Sequence, residues 1–494
     1  MTHTFTPTTR PHRIAPSGAP WRLTAVVLAL SAWQPHAHAA DSSAASPAAP
    51  GETQQIQVVG RHYDNAVGSS DAASEGVIRA DLIKARPALR PGEVLEFVPG
   101  LIVTQHSGDG KANQYFLRGF NLDHGTDFAT SVEGMPVNMP SHGHGQGYSD
   151  LNFMIPELVD HIDYRKGPYF ASNGDFASAG SADIAYKTSL APFAQLTLGQ
   201  HAYRRGLFAG STTVNDTDTL LGAVELMTND GPWTVPENLQ RHNAVLKYSH
   251  GTLDEGFTLE GMAYQAKWTS TDQVPQRLID AGSYNGQPFG RFDSLDPTDG
   301  GNTSRYSLSG EWHRRGADDE THVSAYVMSY RLALWSNFTY AMERPDTGDQ
   351  FSQRDKRTVS GLKASQAWSH TLGGLEARTE LGLQLRHDNA RVGLFDTEAR
   401  KTLSTTRDDD VHETLVGVYA QNQLTWTPWL RSLVGLRADK GYFSVDSLKG
   451  DAAAAANTGS AQASKLSPQA GPGAGAMGQD GILRRCGQGL PQQR

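Results

Sequence analysis

Sulfur chemistry is almost missing from this chain. Its 494 residues include one cysteine, Cys486, so no intrachain disulfide can form. Long apolar runs are missing too. The best, Leu23 to Ala32, is about half the ~20 residues a helix needs to cross a bilayer, so any membrane crossing has to be made by strands. There is no basic excess: 43 Lys and Arg stand against 52 Asp and Glu, a formal charge of −9, and no basic domain emerges to neutralise nucleic-acid phosphates. Catalytic signatures are absent as well. The chain has no Gly-x-Ser-x-Gly elbow, phosphate loop, His-Glu-x-x-His or convincing carboxylate pair. A His-x-His metallohydrolase would need further Asp and His in register, and none stands out. Glycine, by contrast, is frequent at 51, hydrophobic content is only 38%, and aromatics are spread evenly. That mixture suits many short strands joined by turns and does not suit a helical membrane protein.

The first 39 residues read as a secretory signal. Arg10, Arg13 and Arg22 form a positive segment, Leu23 to Ala32 an apolar core, and Ala37-His38-Ala39 a small-x-small cleavage pattern. Residues 40–70 read as a flexible linker, which opens on an Ala/Ser/Pro-rich stretch with little to bury. Within it, Gln55, Ile56, Gln57, Val58 and Val59 form a lone β-prone run whose backbone is free to pair with a partner's sheet.

Residues 71–190 read as a compact mixed domain. Arg79 to Ala85 and Pro91 to Phe97 are short helix candidates, the second with proline near its first position. Short apolar strands broken by Gly and Pro follow. They include Phe116-Leu117-Arg118-Gly119-Phe120, Val132-Glu133-Gly134-Met135-Pro136-Val137, Ile162-Asp163-Tyr164-Arg165-Lys166-Gly167-Pro168 and Gly180-Ser181-Ala182-Asp183-Ile184. These four motifs, in this order, resemble the plug domain of TonB-dependent outer-membrane receptors. The last departs from the family's usual consecutive glycines, and there Asp183 is expected to make the turn bonds.

From about Ala191 the texture becomes alternation. Tyr306, Leu308, Gly310 and Trp312 share one face, as do Leu381, Leu383 and Leu385, then Val416, Val418, Ala420, Leu424 and Trp426. Segments of about ten alternating residues joined by turns fit a transmembrane β-barrel, although a soluble sandwich alternates similarly. Trp268, Trp312, Trp335, Trp368, Trp426 and Trp429 suit interfacial girdles, and 268–305 and 336–355 are long polar insertions suited to recognition.

The resemblance implies a mainly β fold: a transmembrane antiparallel β-barrel holding an N-terminal mixed α/β plug in its lumen. It implies energy-coupled uptake across the outer membrane of Gram-negative cells, with no enzyme activity. The implied partners are the TonB energy-transducing protein at Gln55 to Val59, outer-membrane lipid, the barrel-assembly machinery and a small-molecule or metal-chelate ligand. A passive porin or a receptor fragment is the alternative. Residues 191–468 supply roughly ten to twelve strands of a barrel class that has about 22, so the barrel is expected to be partial, with 469–494 a frameshifted tail.

The candidate binding chemistry is His142-Gly143-His144-Gly145, with His106, His124, Asp127, Met135 and Met139 elsewhere in the same domain. On an extended chain, histidines two apart point to one side, so both imidazoles would face one ion. Histidine with methionine favours copper, zinc or nickel, or a chelate of such a metal, as transported substrate. The bland reading is a Gly-rich turn with solvated histidines.

Overall fold

The computed structural model describes residues 63–64, 75–474 and 486–487, apart from 106–107, 270–271, 338, 340–341 and 428. The signal segment, Gln55 to Val59, His106 and most of the tail lie outside the described residues.

The described residues form an inner domain and a large wall sheet. The inner domain holds β1 (Tyr63–Asp64), β2 (Glu75–Arg79), β3 (Leu101–Thr104), β4 (Gln114–Leu117), β5 (Phe120–Asn121), β6 (Phe128–Val132), β7 (Met135–Pro136), β8 (Val159–Lys166) and β9 (Gly180–Tyr186). Its main sheet runs β1-β2-β8-β9-β6-β7, with β6 and β9 parallel, and β3-β4-β5 form a small second sheet. Ile78, Leu95, Phe128, Val132, Met135, Leu158, Ile162 and Ile184 close its core. Helix α1 (Ala80–Lys84) forms where the sequence suggests it, whereas Pro91–Phe97 winds as a 3-10 helix. Its entry bond, Glu93 N–H to the Arg90 carbonyl, and its closing bond, Val98 N–H to the Leu95 carbonyl, both span three residues, the 3-10 spacing. Asp183 makes no turn. It sits inside β9 and accepts a hydrogen bond from the Ser131 hydroxyl across the parallel pair.

The wall is β10 (Phe193–Leu198), β11 (Arg204–Asn215), β12 (Asp218–Asn229), β13 (Leu239–Gly251), β14 (Glu255–Thr269), β17 (Gly300–Arg315), β18 (Asp319–Ser336), β19 (Phe351–Leu372), β20 (Leu375–Glu398), β21 (Lys401–Thr427), β22 (Leu430–Ser447), β23 (Gly459–Ala474) and β24 (Cys486–Gly487). A loop hairpin, β15 (Ser283–Tyr284) and β16 (Gln287–Pro288), and helix α2 (Gln276–Ala281) separate β14 from β17. Helix α3 (Ala452–Ala455) separates β22 from β23. The wall strands pair antiparallel with their neighbours in chain order, and among the described residues β10 and β24 are the sheet's edges. Strand β23 runs through Pro472 to Ala474, six residues past the expected end of the alternation.

The wall is inverted relative to a soluble sheet. Phe208, Leu226, Leu246, Leu259, Leu308, Val327, Val418 and Val434 are exposed on its outer side, while Arg205, Glu225, Arg241, Lys247, Glu260 and Arg305 are buried inside. Exposed apolar residues are ordinary singly, but a whole face of them, backed by buried charge, is the pattern of a lipid-facing barrel wall. Connections alternate too. On one side the turns at 216–217, 252–254, 316–318 and 373–374 are short; on the other, the connections at 270–299 and 337–350 are long, but the β20–β21 turn at 399–400 has only two residues. Trp312, Trp368, Trp426 and Trp429 are exposed beside short turns, a single girdle. Trp268 departs from the expected girdle, pointing inward at 3% exposure, and Trp335 lies under the Arg400 guanidinium at 4.9 Å.

Candidate functional site at the apex of the inner domain

Residues 138–148 leave β7 as a run of bends and return to the domain through a bridge between Met139 and Tyr148. Gly143 lets this loop press against the wall, since a Cβ there would lie 2.9 Å from the Arg354 carbonyl oxygen. The backbone is therefore not extended, and the i, i+2 histidines diverge. The His142 ring stacks on Tyr148 with centroids 4.0 Å apart. Its Nδ1 accepts the His144 backbone N–H at 3.1 Å, and its Nε2 lies 3.2 Å from the Tyr330 hydroxyl. Both ring nitrogens are thus committed within the protein.

His144 turns the other way. Its Nδ1–H donates to Gln353 Oε1 at 2.8 Å, so Nε2 carries the lone pair. His124, from the turn after β5, donates from Nδ1 to the Asn113 carbonyl at 3.0 Å, and its ring centroid is 4.9 Å from that of His144. The close pair is therefore His124 with His144. Burial holds all three imidazoles neutral: it lowers the His124 pKa, pushes His142 down to about 3 and leaves His144 well below its ordinary value. Neutral imidazoles are the form that binds a transition metal.

The other sequence candidates stand apart. Met135 and Met139 are buried in the core of the inner domain. The Asp127 carboxylate accepts hydrogen bonds from the Ser178 hydroxyl and, at 3.0 Å, from Thr126 Oγ1. Among the described residues no group of three His, Cys, Asp or Glu is placed to hold a metal ion. Two neutral imidazoles suit a ligand-borne metal better than a resident one.

Sequence reasoning missed the lid over this apex. Lys111 Nζ meets Asp272 Oδ1 at 3.2 Å, with both side chains almost fully buried. Asp272 also accepts the Asn337 backbone N–H at 3.1 Å. Gly110, at φ +88°, lies under the Trp268 ring, where a Cβ would come within 2.4 Å of ring carbons. Gln350 ties three loops together: its amide donates to Asp296, Thr298 and Asp299 at 3.1, 2.9 and 2.9 Å, and its carbonyl accepts from Thr397 and the Arg400 backbone. Desolvation, reinforced by Asp272 and Asp296, raises the Asp299 carboxyl to about 9. The polar Gly108-Asp109-Gly110-Lys111 run was the available signal.

Residues 69–181 match the family model described as the TonB-dependent receptor plug domain. The inner domain is a TonB-dependent receptor plug. Solved structures share the plug-and-wall fold. The ferric citrate transporter FecA, unliganded, superposes with a TM-score of 0.67 at 13% identity, over 82% of this chain and 60% of that one. The siderophore receptor PiuA from Acinetobacter baumannii gives 0.62 at 15%, over 81% and 62%. The copper transporter OprC gives 0.60 at 15%, over 83% and 61%. The chain thus spans about 60% of the length of these relatives.

Proposed function

We propose that this chain is an outer-membrane receptor for TonB-coupled uptake of a scarce ligand, a siderophore or another metal chelate. The observation that carries this reading is the plug, a folded domain packed against the charged inner face of a wall whose outer face is apolar. A passive porin has use for the wall but none for a domain that fills it. Ferric citrate, siderophore and copper appear in the names of the relatives, and the paired neutral imidazoles of His124 and His144 suit a ligand that carries a metal. In this reading residues 1–39 direct export, and the outer face of the wall meets lipid after insertion by the barrel-assembly machinery. Gln55 to Val59 add as a strand to TonB, and the lidded apex receives the ligand. The chemistry is transport, not catalysis, and nucleic acid is no partner.

The test is uptake by cells expressing the full chain in a host stripped of its own receptors. Radio-iron would be supplied as citrate, hydroxamate and catecholate chelates, with radio-copper in parallel. At least one probe should accumulate, and deleting residues 55–59 should abolish accumulation while leaving surface binding intact. Accumulation unchanged by the deletion would favour the porin, and no binding of any probe would favour an inactive receptor fragment.

A further inference from the structure

The outward face of the wall carries a line of cations without carboxylate partners. Lys267 on β14, Arg331 on β18 and Lys356 on β19 are exposed, each flanked along its strand by buried residues that face inward. Arg331 and Lys356 stand directly opposite one another across the β18–β19 pair. Like charges so placed destabilise a sheet. The next cation in the row, Arg391 on β20, is held by Asp408 through two hydrogen bonds at 2.7 and 2.9 Å, and Asp410 lies opposite it on β21. Arg354, on the loop side of Lys356, lies over the Phe395 ring at 4.2 Å and donates to Thr402 Oγ1 at 3.1 Å and Ser352 Oγ at 3.3 Å. Among the described residues, Lys267, Arg331 and Lys356 form no ion pair.

The tryptophans set the height of this line. Trp368 and Lys356 share the outward face of β19, about 40 Å apart along the strand at ~3.4 Å per residue. At the ~35–45° tilt of barrel strands that is about 30 Å of height, just over the ~25 Å apolar band such walls present to lipid. Trp312, Trp368, Trp426 and Trp429 mark one boundary of the band, and the cations lie at the other. Both lines climb toward the long connections in passing from β19 to β14: Trp312 falls in the row of Ala364, and Lys267 in that of Ala333. They run side by side, as the two boundaries of a membrane do, and Leu259, Leu308 and Val327 are exposed between them. The cations lie at the end that bears the long connections 270–299 and 337–350, the extracellular end of such barrels.

We propose that Lys267, Arg331 and Lys356 form a binding site for the phosphates of an outer-leaflet lipid headgroup, whose acyl chains lie along Leu308 and Val327. Cations at headgroup level draw anionic lipid, and a guanidinium offers two parallel N–H groups to one phosphate. The phosphates supply the negative charge that the opposed Arg331 and Lys356 lack. Lys267 stands three strands from Lys356, roughly 14 Å at ~4.8 Å per strand, a spread that suits a headgroup with more than one phosphate. The site depends on the wall spanning the outer membrane and holds whether or not a chelate is taken up.

Native mass spectrometry of the full chain, released from detergent micelles that contain diphosphoryl lipid A, is the test. The chain should retain the lipid, and Lys267→Gln, Arg331→Gln and Lys356→Gln together should cut retention at least tenfold. Lys267→Arg, Arg331→Lys and Lys356→Arg together keep the charge and should keep the lipid. Arg314→Gln, Arg315→Gln and Arg378→Gln remove exposed cations at the short-turn end and should leave retention unchanged. A second measurement uses the unmodified chain, so no variant has to fold. Lipid A stripped of its phosphates should be retained at least tenfold less than the diphosphoryl form, and excess inorganic phosphate, which brings no acyl chains to the wall, should not displace the latter. Equal retention by the glutamine triple variant and the unmodified chain, equal loss from the short-turn variant, or equal retention of the stripped lipid overturns the site. Displacement by inorganic phosphate overturns it in favour of a free-anion site.

Discussion

The two sides of the plug show how one wall can hold a domain firmly on one side and more lightly on the other. On the β11–β13 side the carboxylate of Glu225, 0% exposed, sits between Arg205 and Arg241 and also accepts from Asn243 at 3.0 Å. Arg205 carries that network onto Glu157 of the plug, and Lys247 meets Glu133 at 2.7 Å. On the β19–β22 side the charges pair within the wall. Arg357 bridges Asp355 and Asp388, Arg386 holds Asp388, and Arg437 holds Asp439. These guanidiniums reach the plug through leftover N–H groups, onto the carbonyls of Ser141, Asn138 and Ala171. Gln384 donates to the Ser172 carbonyl at 2.9 Å. Removing one member of a buried ion pair strands the other, at about 3–5 kcal/mol. Losing a guanidinium–carbonyl hydrogen bond costs about 1.5–3 kcal/mol, and losing a neutral one that water can replace about 0.5–1.5 kcal/mol. The same residue types thus give a stronger joint where the plug carboxylates meet the wall cations directly and a weaker one where the direct contacts are to plug backbone, with the Asp175 carboxylate facing Arg386 and Arg437 from farther off.

The largest effect that could break this comparison is Glu225→Gln. It leaves the buried Arg241 guanidinium without a carboxylate and Arg205 with Glu157 alone, and should lower plug stability by about 3–5 kcal/mol, read as the urea midpoint of tryptophan fluorescence in detergent. A shift no greater than that of Gln384→Ala would mean the two sides are held alike. Lys111→Met should follow closely, because it strands Asp272 beneath the lid, and faster amide exchange at 109–113 would report it.

Such long-range joints are what the sequence conceals. The period-two alternation was legible because sheet geometry turns it directly into two faces, and Tyr306, Leu308 and Trp312 do share the exposed one. The plug motifs were legible because turns are local. Lys111 and Asp272 lie 161 residues apart, and nothing local marks them as partners. The histidine spacing misled because it assumed an extended strand where two glycines allow bends. Trp268 misled because a tryptophan at a strand end reads the same on either face.

Acid should act on the apex more gently. Burial lowers the pKa of His124, His142 and His144 in the folded plug, so their contribution is fully present above the unfolded value of ~6.5. It is lost as pH falls below that value, down to about 3 for His142, at up to ~1.4 kcal/mol per pH unit for each group. Loop 138–148 should therefore loosen between pH 6 and 4 (about the window these shifts define), seen as rising amide exchange there, and His142→Gln should blunt the response. The smallest effect is Gln384→Ala, about 1 kcal/mol, confined to segment 168–177.

Hydrogen exchange of the intact chain in lipid, followed by mass spectrometry, tests the asymmetry most directly. The account predicts that amides of 168–177 exchange at least tenfold faster than those around Glu157 and Glu133, and that Gln384→Ala accelerates only the former. Equal protection on both sides, or faster exchange around Glu157, would contradict it.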